Sequence, residues 1–311
     1  MIKGLAITPP IIGRISIGHL VQKGEKWIPE KDDCFTLTTQ VQGRNGWVLH
    51  PLHQQFVEQS PNGKLRAIPV RLLFNDSDLN LRAEYSAFDR SSGRPVCVGN
   101  GDIARRVTTD GLQETGCPGP DRCPFASQTG CKLYGRLNVQ VEGQQDELGS
   151  FIFRTTGYNS VRTLAARLRY FEALSGPATR YLPLLLRLRA KSTTLSYRTP
   201  VYYVDLTLRD DASLADSILA ARQEAARQQD AGVDTGALES MARSLLQNGQ
   251  FEDTDEDIPQ LLEEFYPESA SADAAAQTGT SPSVSTPTTP IRPARLTGKL
   301  GNKPATGTAN H

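Results

Sequence analysis

Alternation of apolar and polar side chains runs through much of the first 158 residues, and a period of two is the mark of strands. FTLTTQVQ (35–42), AIPVRLLF (67–74) and AEYSAF (83–88) are rich in β-branched and aromatic residues. GRNG (43–46), SPNGK (60–64) and DRSSGRP (89–95) separate them as turns. KLYGRLNVQV (132–141) and SFIFRTT (150–156) read as a hairpin pair joined by EGQQDELG. The period then changes. Val161, Leu164, Ala165, Leu168 and Phe171 recur at helical spacing, with Arg162, Arg167 and Arg169 on the other side. Asn159 and Ser160 are the expected caps, and Gly176-Pro177 the stop.

The period returns to two in PLLLRLRAK. Leu184, Leu186, Leu188 and Ala190 fall on one face; Leu185, Arg187, Arg189 and Lys191 fall on the other. TPVYYVDLTL (199–208) supplies one more apolar strand. ASLADSILAARQEAARQQ (212–229) and TGALESMARSLLQ (235–247) are helical by composition and join near Gly232. In EDTDEDIPQLLEEFYPE (252–268), Ile258, Leu261, Leu262 and Phe265 stand at i, i+3, i+4 and i+7. That spacing makes them candidate anchors for a partner groove or for the chain's own basic block. After about Ser269 the chain turns to Ala, Ser, Thr, Pro and Gly, a composition that buries too little apolar surface to order itself.

Composition sets bounds on this picture. The chain has 311 residues, 38% of them hydrophobic, and no apolar run approaches the roughly 18 residues of a membrane span. MIKGLAITPPIIGRISIGHL lacks the basic–apolar–cleavage order of a secretory signal, so a cytoplasmic protein with reduced thiols is expected. The formal net charge is zero, but its distribution is uneven. Residues 151–200 hold nine Lys and Arg against one acid, Glu172, whereas residues 201–270 hold four against 16. Arg162, Arg167, Arg169, Arg187, Arg189 and Lys191, interleaved with tyrosines, are therefore candidate nucleic-acid contacts. The competing reading is a solvated face that neutralises the acidic segment.

Four of the five cysteines are spaced Cys97-x19-Cys117-x5-Cys123-x7-Cys131, with Pro118, Gly119, Pro120, Pro124 and Gly130 among the last three. Turns of that kind can bring separated sulfurs round one ion, and four thiolates close a structural zinc site. An iron–sulfur cluster suits the same donors, and packed free thiols are the third reading. Cys34 stands apart. Pro51 between His50 and His53 argues against a helical ligand pair, and GNGD (99–102) reads as a turn. Glu84, Asp89 and Asp102 lack the acid-x-Lys strand of a nuclease.

The expected fold is α+β: a mainly antiparallel sheet with a cysteine-rich zinc loop and one packed helix, followed by a helical segment and a disordered C-terminal tail. The expected divisions are 1–208, 209–268 and 269–311.

ITPPIIGRISIGH, PVCVGNG, CPGPDRC…GCKLYGRL and FRTTGYNSVRTL, in that order over roughly residues 1–208, resemble the recombination directionality factor-like proteins of phages and integrative elements. Relatives of that group carry labels of hydrolase or metal-binding protein. The resemblance implies an accessory protein that binds a large serine integrase on its attachment-site DNA and turns it from integration to excision, without being the catalyst. Serine recombinase or another recombination protein, and DNA, are the implied partners, with no membrane. The alternative is a metal-dependent hydrolase acting on nucleic acid. A closed four-thiolate centre, with no open coordination position, favours the first.

Overall fold

The structure is a computed structural model and describes residues 10–23, 26–43, 46–192, 194 and 198–246. The chain opens with β1 (Ile11–Lys23), β2 (Lys26–Gly43) and β3 (Gly46–Leu49), then α1 (Pro51–Gln59). β4 (Ala67–Leu72), the single turn α2 (Ser77–Asn80) and β5 (Leu81–Phe88) follow. Next come β6 (Pro95–Gly99), β7 (Ile103–Thr108), β8 (Gly111–Gly116) and the short α3 (Pro124–Thr129). β9 (Lys132–Val141), β10 (Ser150–Thr155), α4 (Tyr158–Ser175), β11 (Leu184–Lys191) and β12 (Val201–Leu208) complete the sheet. α5 (Leu214–Asp230) and α6 (Thr235–Leu246) lie after it.

The 12 strands of the described residues belong to one sheet, with the main order β3-β2-β1-β10-β9-β5-β6-β7-β8. β1 runs parallel to β10, so the sheet is mixed. This corrects the expected layout of a mainly antiparallel sheet built around a cysteine loop with one packed helix. The described residues carry six helices, and the cysteine region is itself built of strands and a helix. The class remains α+β. The reason for the miss is local. GDIARRVTTDGLQETG has few large apolar residues, so β7 and β8 show no core-facing alternation, and β8 is exposed at every position.

β9 is where the sheet divides. Its first half pairs with β5, from Leu81↔Leu137 to Ser86↔Lys132, and its second half pairs with β4, from Leu72↔Val139 to Val70↔Val141. β4 continues into β11 and β12. The chain therefore leaves β9 at Leu72 and returns to it at Leu81. Fully buried Asn80 holds that excursion: its Oδ1 accepts from the N–H groups of Leu73 (3.0 Å) and Phe74 (3.1 Å), and its Nδ2 donates to the carbonyls of Phe74 and Asp76. A buried amide is tolerated only with partners of this kind.

The main core joins Phe35 and Leu37 of β2, Leu137 and Val139 of β9, Phe151 and Phe153 of β10, and Leu164, Leu168 and Phe171 of α4. Each such side chain contributes about 1.5–3 kcal/mol on full burial. α4 ends at Gly176, as expected, but its N-cap is Gly157, without a side-chain cap. Asn159 and Ser160 lie inside the first turn instead. The Ser160 hydroxyl accepts from the Val204 N–H (3.0 Å) on the outer edge of β12, and the Asp205 carboxylate accepts from the Leu206 N–H (2.9 Å). An open strand edge is a template for unwanted pairing, and Ser160 and Asp205 occupy two N–H groups of this one.

The segment 252–268, with Ile258, Leu261, Leu262 and Phe265, and the tail from 269 lie outside the described residues.

Candidate metal centre and basic face

The four cysteines named from their spacing line one cavity, beneath the hairpin of β7 and β8. Alternation along β6 turns Cys97 inward, where it is buried. Cys117 follows β8 and is fixed by its N–H, which donates to the Asp102 carbonyl (2.7 Å). Gly119 (φ +83°) turns the chain, and Cys123 caps α3, its carbonyl accepting from the Ala126 N–H (3.0 Å). Gly130 (φ +71°) ends α3 in the left-handed conformation, which costs glycine little, and Cys131 comes next. Around these residues lies a small apolar cluster of its own: Ala87, Cys97 and Ala104, packed with Val96, Cys117, Phe125 and Cys131.

The glycine of PVCVGNG has a specific task here. A Cβ at Gly99 would come 2.6 Å from Cys117 Sγ and 2.8 Å from Ala104 Cβ, so only glycine lets Cys117 close over the strand. The following turn is held by Asn100, whose Oδ1 accepts from the N–H groups of Asp102 (2.9 Å) and Ile103 (2.8 Å). GNGD is thus a turn that brings β7 back beside β6.

Sequence reasoning missed Arg106. It lies directly opposite Cys97 in the β6–β7 register, so both side chains share a face. Its Nη2 is 3.7 Å from Cys123 Sγ, and its guanidinium stacks 4.1 Å over the Phe125 ring. Only the register of β7 against β6 places it there, and the sequence carries no signal for that register. The thiols differ in their readiness to ionise. Burial, then the neighbouring thiols, pushes Cys131 up to about 12. Burial also raises Cys123, but hydrogen bonds from the Ala126 and Phe125 N–H groups, with the Arg106 charge, outweigh it and hold this thiol below its usual value.

Among the described residues, no group of three or more His, Cys, Asp or Glu side chains is placed to hold a metal ion. The four thiols line the same cavity without being gathered into one ligand group. All five cysteines are free. The donor set suits zinc, and thiolates equally suit an iron–sulfur centre.

The other candidate donors are engaged elsewhere. His50 caps α1, its Nδ1 accepting from the Leu52 N–H (3.2 Å), and His53 Nδ1 accepts from the Leu37 N–H (3.4 Å). Pro51 is thus the first residue of a helix, which the sequence reading did not expect. Burial lowers both imidazoles below their usual pKa. Glu84 accepts from Arg136 (3.0 Å), which is 1% exposed. Asp89 accepts from the hydroxyls and N–H groups of Ser91 and Ser92, which brings it down to about 2. Cys34 is raised by burial and by Asp32, to whose carboxylate its thiol donates (3.7 Å).

The basic block is brought together, and much of it is paired. Arg167 Nε of α4 and Arg189 Nε of β11 donate to the two oxygens of buried Asp205, at 3.0 and 2.8 Å. Burial raises the Asp205 carboxyl, but the two guanidinium groups outweigh it and hold the pKa below the usual range. Arg187 donates to the Thr207 hydroxyl (3.1 Å) and pairs with Asp210. Lys191 Nζ donates to Asn159 Oδ1 (2.6 Å), at the start of α4. Arg169 is 3.6 Å from Asp78, and Arg162 is exposed.

Residues 12–209 match the family model described as Gp3-like, recombination directionality factor-like. The chain belongs to the recombination directionality factor-like family. No curated protein and no solved structure matches it. Membership extends over the whole sheet, from β1 to the end of β12, and so takes in the four cysteines and the basic face. A family of this description places the protein in DNA recombination. No helix among the described residues is long and apolar enough to cross a membrane.

Proposed function

We propose that this chain is a zinc-braced accessory protein of mobile-element DNA recombination, acting by contact with a site-specific recombinase, with DNA, or with both. The observation that carries the reading is the convergence of Cys97, Cys117, Cys123 and Cys131 on one cavity in a member of a recombination family. Zinc bound there by four thiolates has a filled coordination shell, so it acts as a brace and not as a Lewis acid. It would tie β6, the end of β8 and both ends of α3 to one point. Ligation energy of that kind is folding energy. The hairpin of β7 and β8 has little core of its own, and the ion would fix the segment that follows it, with α3, to β6.

The functional test is an in-vitro recombination assay with the serine recombinase encoded on the same genetic element. Recombinase alone should join the two original attachment sites. Adding this chain should suppress that reaction and promote excision between the product sites. Identical product ratios with and without the chain would refute the role. Iron in place of zinc in the purified protein would replace the proposed ion and leave the bracing role in place.

A further inference from the structure

α4 buries Val161, Leu164, Leu168 and Phe171 against the sheet. Its opposite face is a stripe of Tyr158, Arg162, Ala166, Arg169 and Tyr170, all exposed. The two tyrosines are 64% and 58% exposed, an unusual outlay of aromatic surface for a helix that packs so well behind. The stripe holds no carboxylate. Glu172, the one acid of α4, turns aside to accept from the Ser77 N–H (3.3 Å). Arg162 has no ion-pair partner among the described residues. The Arg169 pair with Asp78 joins side chains that are 71% and 78% exposed, so water and salt screen it. Lys191 adds a third cation where it meets Asn159 at the start of the helix.

We infer that this face of α4 docks double-stranded DNA, with Arg162, Arg169 and Lys191 on phosphates and Tyr158 and Tyr170 beside the backbone. Charge complementarity selects the occupant: three cations on a helical face whose neighbouring carboxylate, Asp78, is screened by water fit a regular line of phosphates. Geometry agrees. Arg169 follows Arg162 by seven positions, about 10 Å along a helix rising 1.5 Å per residue, close to the roughly 12 Å width of a major groove. Tyrosine hydroxyls can donate to phosphate oxygens at the rim. The inference deepens the recombination reading and rests on it. It also divides the basic block. Arg167 and Arg189 are spent on Asp205, and Arg187 on Thr207 and Asp210, so these three serve the fold, while Arg162, Arg169 and Lys191 serve the ligand.

The test is fluorescence anisotropy of the full chain with a labelled duplex of arbitrary sequence across a salt series. The wild type should bind, with log K falling linearly against log salt. The triple variant Arg162→Ala, Arg169→Ala, Lys191→Ala should lose at least about tenfold in affinity, and its salt slope should drop by about 2–3, near 0.9 for each lost phosphate contact. All three positions are solvent-facing, and an unchanged melting temperature confirms that the fold is kept. Arg187→Ala should bind like the wild type. No wild-type binding at low salt overturns the inference. So does an unchanged slope in the triple variant, an equal loss in Arg187→Ala, or tighter binding to a single strand than to the duplex. A chain that redirects its recombinase without binding duplex loses only this surface; one that binds duplex and leaves recombination unchanged loses the recombination role.

Discussion

Gly99→Ala is a one-methyl perturbation that reads the packing of the candidate metal centre. Gly99 does not need positive φ, so its value is space and not backbone freedom. The added Cβ would lie 2.6 Å from Cys117 Sγ, 2.8 Å from Ala104 Cβ and 3.0 Å from Cys117 Cβ. Ordinary contact between such atoms is about 3.5–4.0 Å, so Cys117 must retreat by roughly 1 Å. Overpacking of that size costs about 1–3 kcal/mol. In a domain of more than 200 residues that lowers the melting temperature by about 2–4 °C per kcal/mol. The ligand cost is sharper, because metal–ligand distances tolerate only about ±0.2 Å. Purified Gly99→Ala should therefore carry clearly less zinc than the wild type and melt several degrees lower. After the zinc is stripped by a chelator, the difference in melting temperature should shrink towards the packing term alone. A variant with full zinc content and an unchanged melting temperature would show that Cys117 does not close over this strand.

Three further outcomes follow from named contacts. Arg106→Gln removes the cation that faces Cys123 and stacks on Phe125. It should weaken zinc retention about 10–100-fold in a chelator-competition assay, the range for partners that orient metal ligands, while Arg106→Lys should restore part of it. Asp205→Asn leaves Arg167 and Arg189 facing each other without their shared carboxylate, and should cost about 2–3 kcal/mol in urea unfolding, because both arginines keep some access to water. The Asp205 pKa is lowered in the folded state, so its stabilisation is present above the unfolded value of about 3.9 and is lost as pH falls through the folded value. A wild-type stability curve against acid that matches Asp205→Asn would contradict this. Ser160→Ala strands the buried Val204 N–H and should cost about 1–3 kcal/mol by the same unfolding measurement.

Strong periodicity was legible, and weak periodicity was not. α4, β11 and β12 stand close to where their patterns put them, because each buries one face in the main core and the burial writes itself into the sequence. The pairing of β9 with β10 was legible for the same reason. β7 and β8 were not, since their hairpin packs a small satellite cluster and leaves β8 in solvent. α1 was missed because Pro51 was taken to argue against a helical pairing of His50 and His53, although proline suits the first turn of a helix. The cap role assigned to Asn159 and Ser160 went to neither, since both side chains are drawn into tertiary contacts. The split of β9 between β4 and β5 has no local signature at all; it depends on Asn80, an unremarkable polar residue until its four hydrogen bonds are seen. At the candidate site, cysteine spacing identified the four thiols that share the cavity, and it was silent about Arg106 and about why position 99 must be glycine.

The most direct test of the zinc brace is elemental analysis of the purified full chain, combined with thiol alkylation before and after chelation. The account predicts about one zinc per chain. It also predicts that Cys97, Cys117, Cys123 and Cys131 resist alkylation in the native protein and become reactive together once the metal is removed. A metal-free protein whose cluster thiols alkylate as freely before chelation as after it would contradict the account.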